Sequence, residues 1–149
     1  MGKNLKDNKN KKEALKQIKA GDLSLADVDD KLKADKEVVL EAVKQDGYAL
    51  EYADKKLQAD KEVVLAAVKE SAFALSYADD KLKADKEVVL EAVKQDGSLE
   101  YTDESLKADR EVVLAAVEQD GYAIEFADKS LKKDRDVVLA AVQKDGSAL

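Results

Sequence analysis

The chain has no cysteine, histidine, tryptophan or proline in 149 residues. Without cysteine and histidine there are no disulfides, no thiolate nucleophile, no zinc site of the usual ligand types and no imidazole for acid/base work near neutral pH. The absence of proline removes the commonest helix breaker. No apolar run approaches the roughly 20 residues that a membrane-spanning helix needs. The N-terminus lacks the apolar core of a secretory signal. Met1-Gly2 opens like a myristoylation site, but Lys6 stands where Ser or Thr is required, so that reading fails. A cytoplasmic location is the default expectation.

What remains is a palette for helices. Charged residues reach 40% and apolar residues 45%, enough for a real core. The net charge of −7 is uneven. Residues 1–12 hold five lysines against one aspartate, or +4, which leaves −11 on the rest. This Lys-rich leader reads as a disordered, solvated tail. The acidic body disfavours nucleic acid and anionic membranes as partners.

Self-comparison carries the strongest signal. LKADKEVVLEAVKQDG begins at Leu32 and recurs, with changes, at Leu57, Leu82, Leu106 and Leu131, spaced by 25, 25, 24 and 25 residues. Residues 14–31 fit a degenerate first unit, with Leu15, Ile18 and Leu25 at the apolar positions. The array thus spans 13–149, its last unit truncated. The predicted fold is all-α: tandem units of about 25 residues, each with a long helix, a short helix and a turn, stacked as an α-solenoid.

Each unit reads physically. Asp35 precedes a run of helix formers and suits an N-cap, as do Asp60, Asp85, Asp109 and Asp134. Glu37 and its counterparts Glu62, Glu87, Glu111 and Asp136 place negative charge in the first turn, where the helix dipole favours it. Gly47, Gly97, Gly121 and Gly146 are expected in the left-handed position that closes a helix. Ser71-Ala72 stands in place of the Asp-Gly pair in the second unit, so that helix is expected to run on or to end less sharply. Between cap and glycine lie 10–11 residues with apolar groups on more than one face, as a helix between two neighbours requires. A shorter helix is predicted over Ala49–Ala53, followed by a turn that Asp54 caps. Asp29, Asp79, Asp103 and Asp128 repeat that second cap. The one-residue deletion after Gly97 falls in a turn, where length changes cost least.

The pattern LKxDKEVVLxAVKQDGYALEYA, carried by Asp35, Val38, Val39, Leu40, Ala42, Val43, Gly47, Leu50, Tyr52, Ala53 and their counterparts, resembles the repeats of DUF4116, a domain of unknown function found in bacteria and protists. The resemblance covers Ile18 to Leu149. It implies a helical-repeat fold and brings no activity or partner with it.

Catalysis is not expected. Carboxylates are abundant enough to imagine an acid/base pair, but each repeating aspartate already has a capping role. Asp27, Asp29 and Asp30 resemble a weak calcium cluster, yet no EF-hand loop spacing follows. No cofactor or metal site is therefore predicted. Tyr52, Tyr77, Tyr101 and Phe126 recur once per unit and are expected to pack between units, the alternative being a ladder of rings facing a ligand groove. Tyr48, Phe73, Ser98, Tyr122 and Ser147 follow the glycine and vary, so packing does not dictate them. Of these, Tyr48, Phe73, Ser98 and Tyr122 are the candidate partner-facing residues. Lys36, Lys61, Lys86, Arg110 and Arg135 are expected to pair with acids of a neighbouring unit, a ligand-facing basic row being the alternative. The expected function is a monomeric, non-catalytic module that binds a protein or peptide. The alternative is a rigid spacer from a longer array; an enzyme or calcium protein built on Asp/Glu clusters comes third.

Overall fold

The computed structural model describes residues 10–147. Among the described residues every regular element is helical, α or 3₁₀. The long helices are α1 (Lys11–Lys19), α3 (Lys36–Gln45), α5 (Lys61–Glu70), α7 (Lys86–Asp96), α9 (Arg110–Gln119) and α10 (Arg135–Lys144). One-turn helices precede four of them: α2 (Asp30–Lys33), α4 (Lys55–Gln58), α6 (Asp80–Lys83) and α8 (Glu104–Lys107). Lys11 and Lys12 do not belong to the expected disordered leader. Asn10 caps α1 by accepting from the Lys12 and Glu13 amides, so Lys11 and Lys12 are helical; residues 1–9 lie outside the described residues.

The aspartates do what their spacing requires. Asp35 accepts from the Val38 amide at 3.2 Å, Asp109 from Val112 at 3.1 Å, and Asp60 and Asp134 each accept from two first-turn amides. The second cap holds as well: Asp29, Asp54 and Asp103 accept from Lys31, Lys56 and Ser105. In the last unit Asp128 accepts from Ser130, ahead of a 3₁₀ turn at Leu131–Lys133.

The short helix predicted over Ala49–Ala53 is a 3₁₀ helix, Gly47–Tyr52, with equivalents at Ala72–Tyr77 and Gly121–Phe126. The expectation for the glycines fails at most positions. Of the glycines expected in the left-handed region, only Gly97 takes it, with φ +75°. Gly47, Gly121 and Gly146 do not. The deletion explains the exception. α7 runs one residue further than its counterparts, to Asp96, and Gly97 then reverses the chain in a left-handed cap. Gly21, with φ +80°, closes α1 through bonds from Gly21 N to Ile18 O and from Asp22 N to Gln17 O. The substitution at Ser71-Ala72 leaves the helix end where it was, at Glu70.

The chain forms two compact units, divided after Asp79. In the first, α3 packs against α1 on one side and α5 on the other. The 3₁₀ segment 47–52 lies against both α3 and α5 and beside the segment 72–77. In the second, α9 packs against α7 and α10, and the segment 121–126 lies against α9 and α10. This side-by-side stacking is the solenoid arrangement, and it explains why the apolar residues cover two faces. Val38, Val39 and Val43 of α3 and Val112, Val113 and Val117 of α9 are fully buried, each worth roughly 1.5–3 kcal/mol. Backbone bonds also join successive repeats: Asp54 N to Lys33 O and Asp79 N to Gln58 O in the first unit, Asp103 N to Lys83 O and Asp128 N to Lys107 O in the second.

Thr102 stands where the other repeats have Val28, Ala53, Ala78 or Ala127. It is buried, and its hydroxyl has no hydrogen-bond partner. Thr102→Val replaces that hydroxyl with a methyl group of the same shape, and Val28 shows that the fold accepts valine there. The variant should be more stable by about 1–2 kcal/mol, read as a higher urea midpoint.

Candidate functional site

Tyr48, Phe73 and Tyr122 sit at the start of the 3₁₀ segments, and Ser98 holds the equivalent place in the shortened turn. The amides of Tyr48, Ser98 and Tyr122 donate to Asp46, Asp96 and Asp120 at 2.9–3.0 Å. Because neighbouring segments lie side by side in the first unit, the variable positions become a row. The rings of Tyr48 and Phe73 are 5.5 Å apart and tilted by 36°. Phe73 in turn meets Tyr77 edge-on at 5.7 Å. Both distances fall in the range of favourable ring pairs. Tyr48 is nevertheless 48% exposed and Phe73 39%.

In the second unit Tyr122 is exposed, and its hydroxyl meets that of Ser147, the same position one repeat on. Ser98, by contrast, is half-buried and presents no ring. It lies in the shortened turn, where no 3₁₀ helix forms. The once-per-repeat aromatics divide. Tyr77 and Tyr101 are half-buried, as packing residues would be. Tyr52 and Phe126, expected to pack between units, are instead 42% and 49% exposed.

The cation row is a ladder of ion pairs. Lys11 meets Asp35 and Glu37, Lys36 meets Asp60 and Glu62, Lys86 meets Asp109 and Glu111, and Arg110 meets Asp134 and Asp136. Each cation of one repeat thus bridges the cap and first-turn acid of the next, which answers the unfavourable placement of a cation at a helix N-terminus. At Asp60 and Asp109 burial raises the carboxyl pKa, but the lysine and the first-turn amides outweigh it and hold the group below the ordinary carboxylate range. Asp134 is lowered chiefly by the Arg110 guanidinium. Lys36 and Lys86 are raised, chiefly by hydrogen bonds to Glu62 and Glu111.

Lowered carboxyls take up protons more readily in the unfolded chain, so their contribution is present above about pH 4 and is lost as pH falls through the folded values. Raised lysines contribute below their ordinary pKa of 10.5, and that contribution is lost as pH rises past the folded values. The urea midpoint should therefore be level between about pH 5 and 9 and fall on both sides. Because the pairs are exposed, added salt should flatten the curve.

The aspartates at 27–30 are dispersed over separate tasks. Asp29 caps α2, Asp27 ends the 3₁₀ turn Leu25–Asp27, and Asp30 lies 4.0 Å from Lys33. Among the described residues no helix is long and apolar enough to cross a membrane.

Stacked long helices, capped turns and a cation ladder between repeats define an all-α tandem-repeat protein. The chain belongs to the DUF4116 family, described as a domain of unknown function, whose model matches residues 11–58, 60–107 and 109–149. One family match therefore covers two of the 25-residue repeats. No curated protein and no solved structure matches the chain.

Proposed function

We propose that the chain is a non-catalytic binding module that takes a peptide or protein segment on the row of 3₁₀ segments. The observation that carries this reading is the Tyr48–Phe73–Tyr77 cluster. These rings touch one another, yet Tyr48 and Phe73 stay substantially exposed, at positions where the repeats tolerate Tyr, Phe or Ser, with the half-buried Tyr77 behind them. Contiguous exposed aromatics offer large contact area at small entropic cost and are characteristic of contact surfaces. The commitment of the repeating aspartates to caps and ion pairs supports a non-catalytic role. The acidic body supports partners other than nucleic acid or anionic membrane.

Panning a random peptide library against the whole chain, with the double variant Tyr48→Ala/Phe73→Ala as the counter-target, tests the proposal. Peptides enriched on the wild type and lost on the variant would support it. Enrichment of none, or equal enrichment on both proteins, would remove this surface from consideration. A second reading, a rigid spacer, draws on the inter-repeat ion pairs and backbone bonds, which resist bending without presenting anything to a ligand.

A further inference from the structure

The first and last long helices end the two units differently, and the difference is chemical. In every long helix two pairs of positions face opposite ways. At α10 the pair Val137 and Ala141 is fully buried, while Val138 and Val142 are only half-buried and Leu139 is 45% exposed. At α1 the opposite pair, Ala14 and Ile18, is buried. Val137 and Ala141 thus face the preceding helix; Val138 and Val142, like Ala14 and Ile18, face the side where a following helix packs. In α9, which has α10 beside it, the equivalents Val113 and Val117 are both fully buried.

On the side facing away from α3, α1 is polar. Glu13 and Gln17 stand where α3 has Val38 and Ala42, and the Gln17 side chain donates to Glu13 at 2.9 Å. Asn10 and Lys12 replace the Asp and Glu that would receive a cation from a preceding repeat. The forward side of α10 keeps every feature of an interior repeat. Val138, Leu139 and Val142 are apolar. Arg135 occupies the position from which Arg110 reaches Asp134 and Asp136, and no carboxylate meets it among the described residues. Gly146 repeats the glycine whose room is needed elsewhere. A Cβ on Gly121 would lie 2.5 Å from Ala141 O in the next helix, and one on Gly97 2.7 Å from Ala116 O, whereas one on Gly146 meets nothing within 4 Å.

We propose that the forward face of α10 is a docking surface for a further repeat helix of the same type. Its occupant carries the pattern Asp-x-Glu-Val-x-x-x-Ala. The Asp and Glu receive Arg135, the Val and Ala cover Val138 and Val142, and the last turn of the helix closes over Gly146. A second copy of this chain is a poor occupant. Its interior helices are already flanked by neighbours, and its α1 would set Lys12 against Arg135 and Gln17 against the valines. This face is separate from the aromatic row and does not depend on the function proposed there.

The probe is a fluorescein-labelled, end-blocked peptide with the sequence of residues 106–126, which contains Asp109, Glu111, Val112 and Ala116 in that pattern. Anisotropy titration with the whole chain should show saturable binding of one peptide per chain. Arg135→Glu should weaken it by about fivefold or more, and a Glu111→Lys peptide should recover affinity for that variant. Gly146→Val should also weaken binding while leaving the thermal midpoint of the chain unchanged. Absence of saturation up to about 1 mM peptide, or equal affinity for the Arg135→Glu variant, overturns the proposal. Sedimentation of the chain alone as a dimer that the peptide does not dissociate would also overturn it, since a second copy would then own the face.

Discussion

Leu99→Ala is expected to destabilise the chain by about 2–5 kcal/mol, the range for removing a fully buried leucine side chain from a packed site. Leu99 has no exposure at all, and it holds the place taken by Leu25, Leu50, Leu75 and Ile124 in the other repeats. It keeps that place although its repeat is one residue short. The left-handed Gly97 and the extra helical residue at Asp96 absorb the deletion before the leucine is reached. The site is built around the side chain from several directions, so truncation leaves a cavity that rigid neighbouring helices cannot fill. Equilibrium urea denaturation reads the loss. Leu139→Ala, at a position 45% exposed, is the internal comparison and should cost well under about 1 kcal/mol. If Leu99→Ala were as mild as Leu139→Ala, the register through the shortened turn would be wrong, and with it the position of Tyr101 and Thr102.

The repeat made much of this fold legible before any coordinates. A cap is a local device: an aspartate with a free first-turn amide two or three residues on, both set by the chain itself. Asp35, Asp60, Asp109 and Asp134 therefore read correctly from spacing alone, and so did Asp29, Asp54 and Asp103. The ion pairs were half legible. That Lys36 needs an acid follows from the helix dipole, but which acids it meets depends on how far one repeat is displaced from the next, which no local rule fixes. Gly97 and Gly21 show the limit from another side. At Gly97 the left-handed turn goes with a repeat one residue shorter than that of Gly47, while the residues just before both glycines, Lys-Gln-Asp, are the same.

The candidate surface was read less well. Variability singled out Tyr48 and Phe73, and they are neighbours, because repeat positions one unit apart become adjacent when the segments stack. The same rule placed Ser98 in the row, but the deletion withdrew its turn. Tyr52 and Phe126 were expected inside because they recur faithfully. Recurrence, however, marks any position equivalent in every repeat, exposed or buried, as the half-buried Tyr77 and the exposed Tyr52 show.

Gly121→Val is expected to cost about 1–3 kcal/mol or more, for a reason other than the left-handed conformation that glycine at a helix end suggests. The backbone at Gly121 has no positive φ. The constraint comes from across the interface, where the last turn of α10 closes over the glycine. A Cβ there would stand 2.5 Å from the carbonyl oxygen of Ala141 and 3.0 Å from both Cβ and Oδ2 of Asp145. Those are backbone and a short, occupied side chain: Ala141 O already accepts from the Asp145 amide, and Asp145 accepts from the Gly121 amide at 2.9 Å. Neither can yield without shifting α10, so the strain falls on the packing of α10 against α9 and the 3₁₀ segment 121–126. Gly146→Val separates this account from a conformational one. Gly146 is its repeat equivalent but has open space around it, so the change should be close to neutral by urea midpoint in the chain alone. Equal losses at Gly121 and Gly146 would mean that the glycines serve a turn. A large loss at Gly121 alone means that they are kept small by the helix of the next repeat.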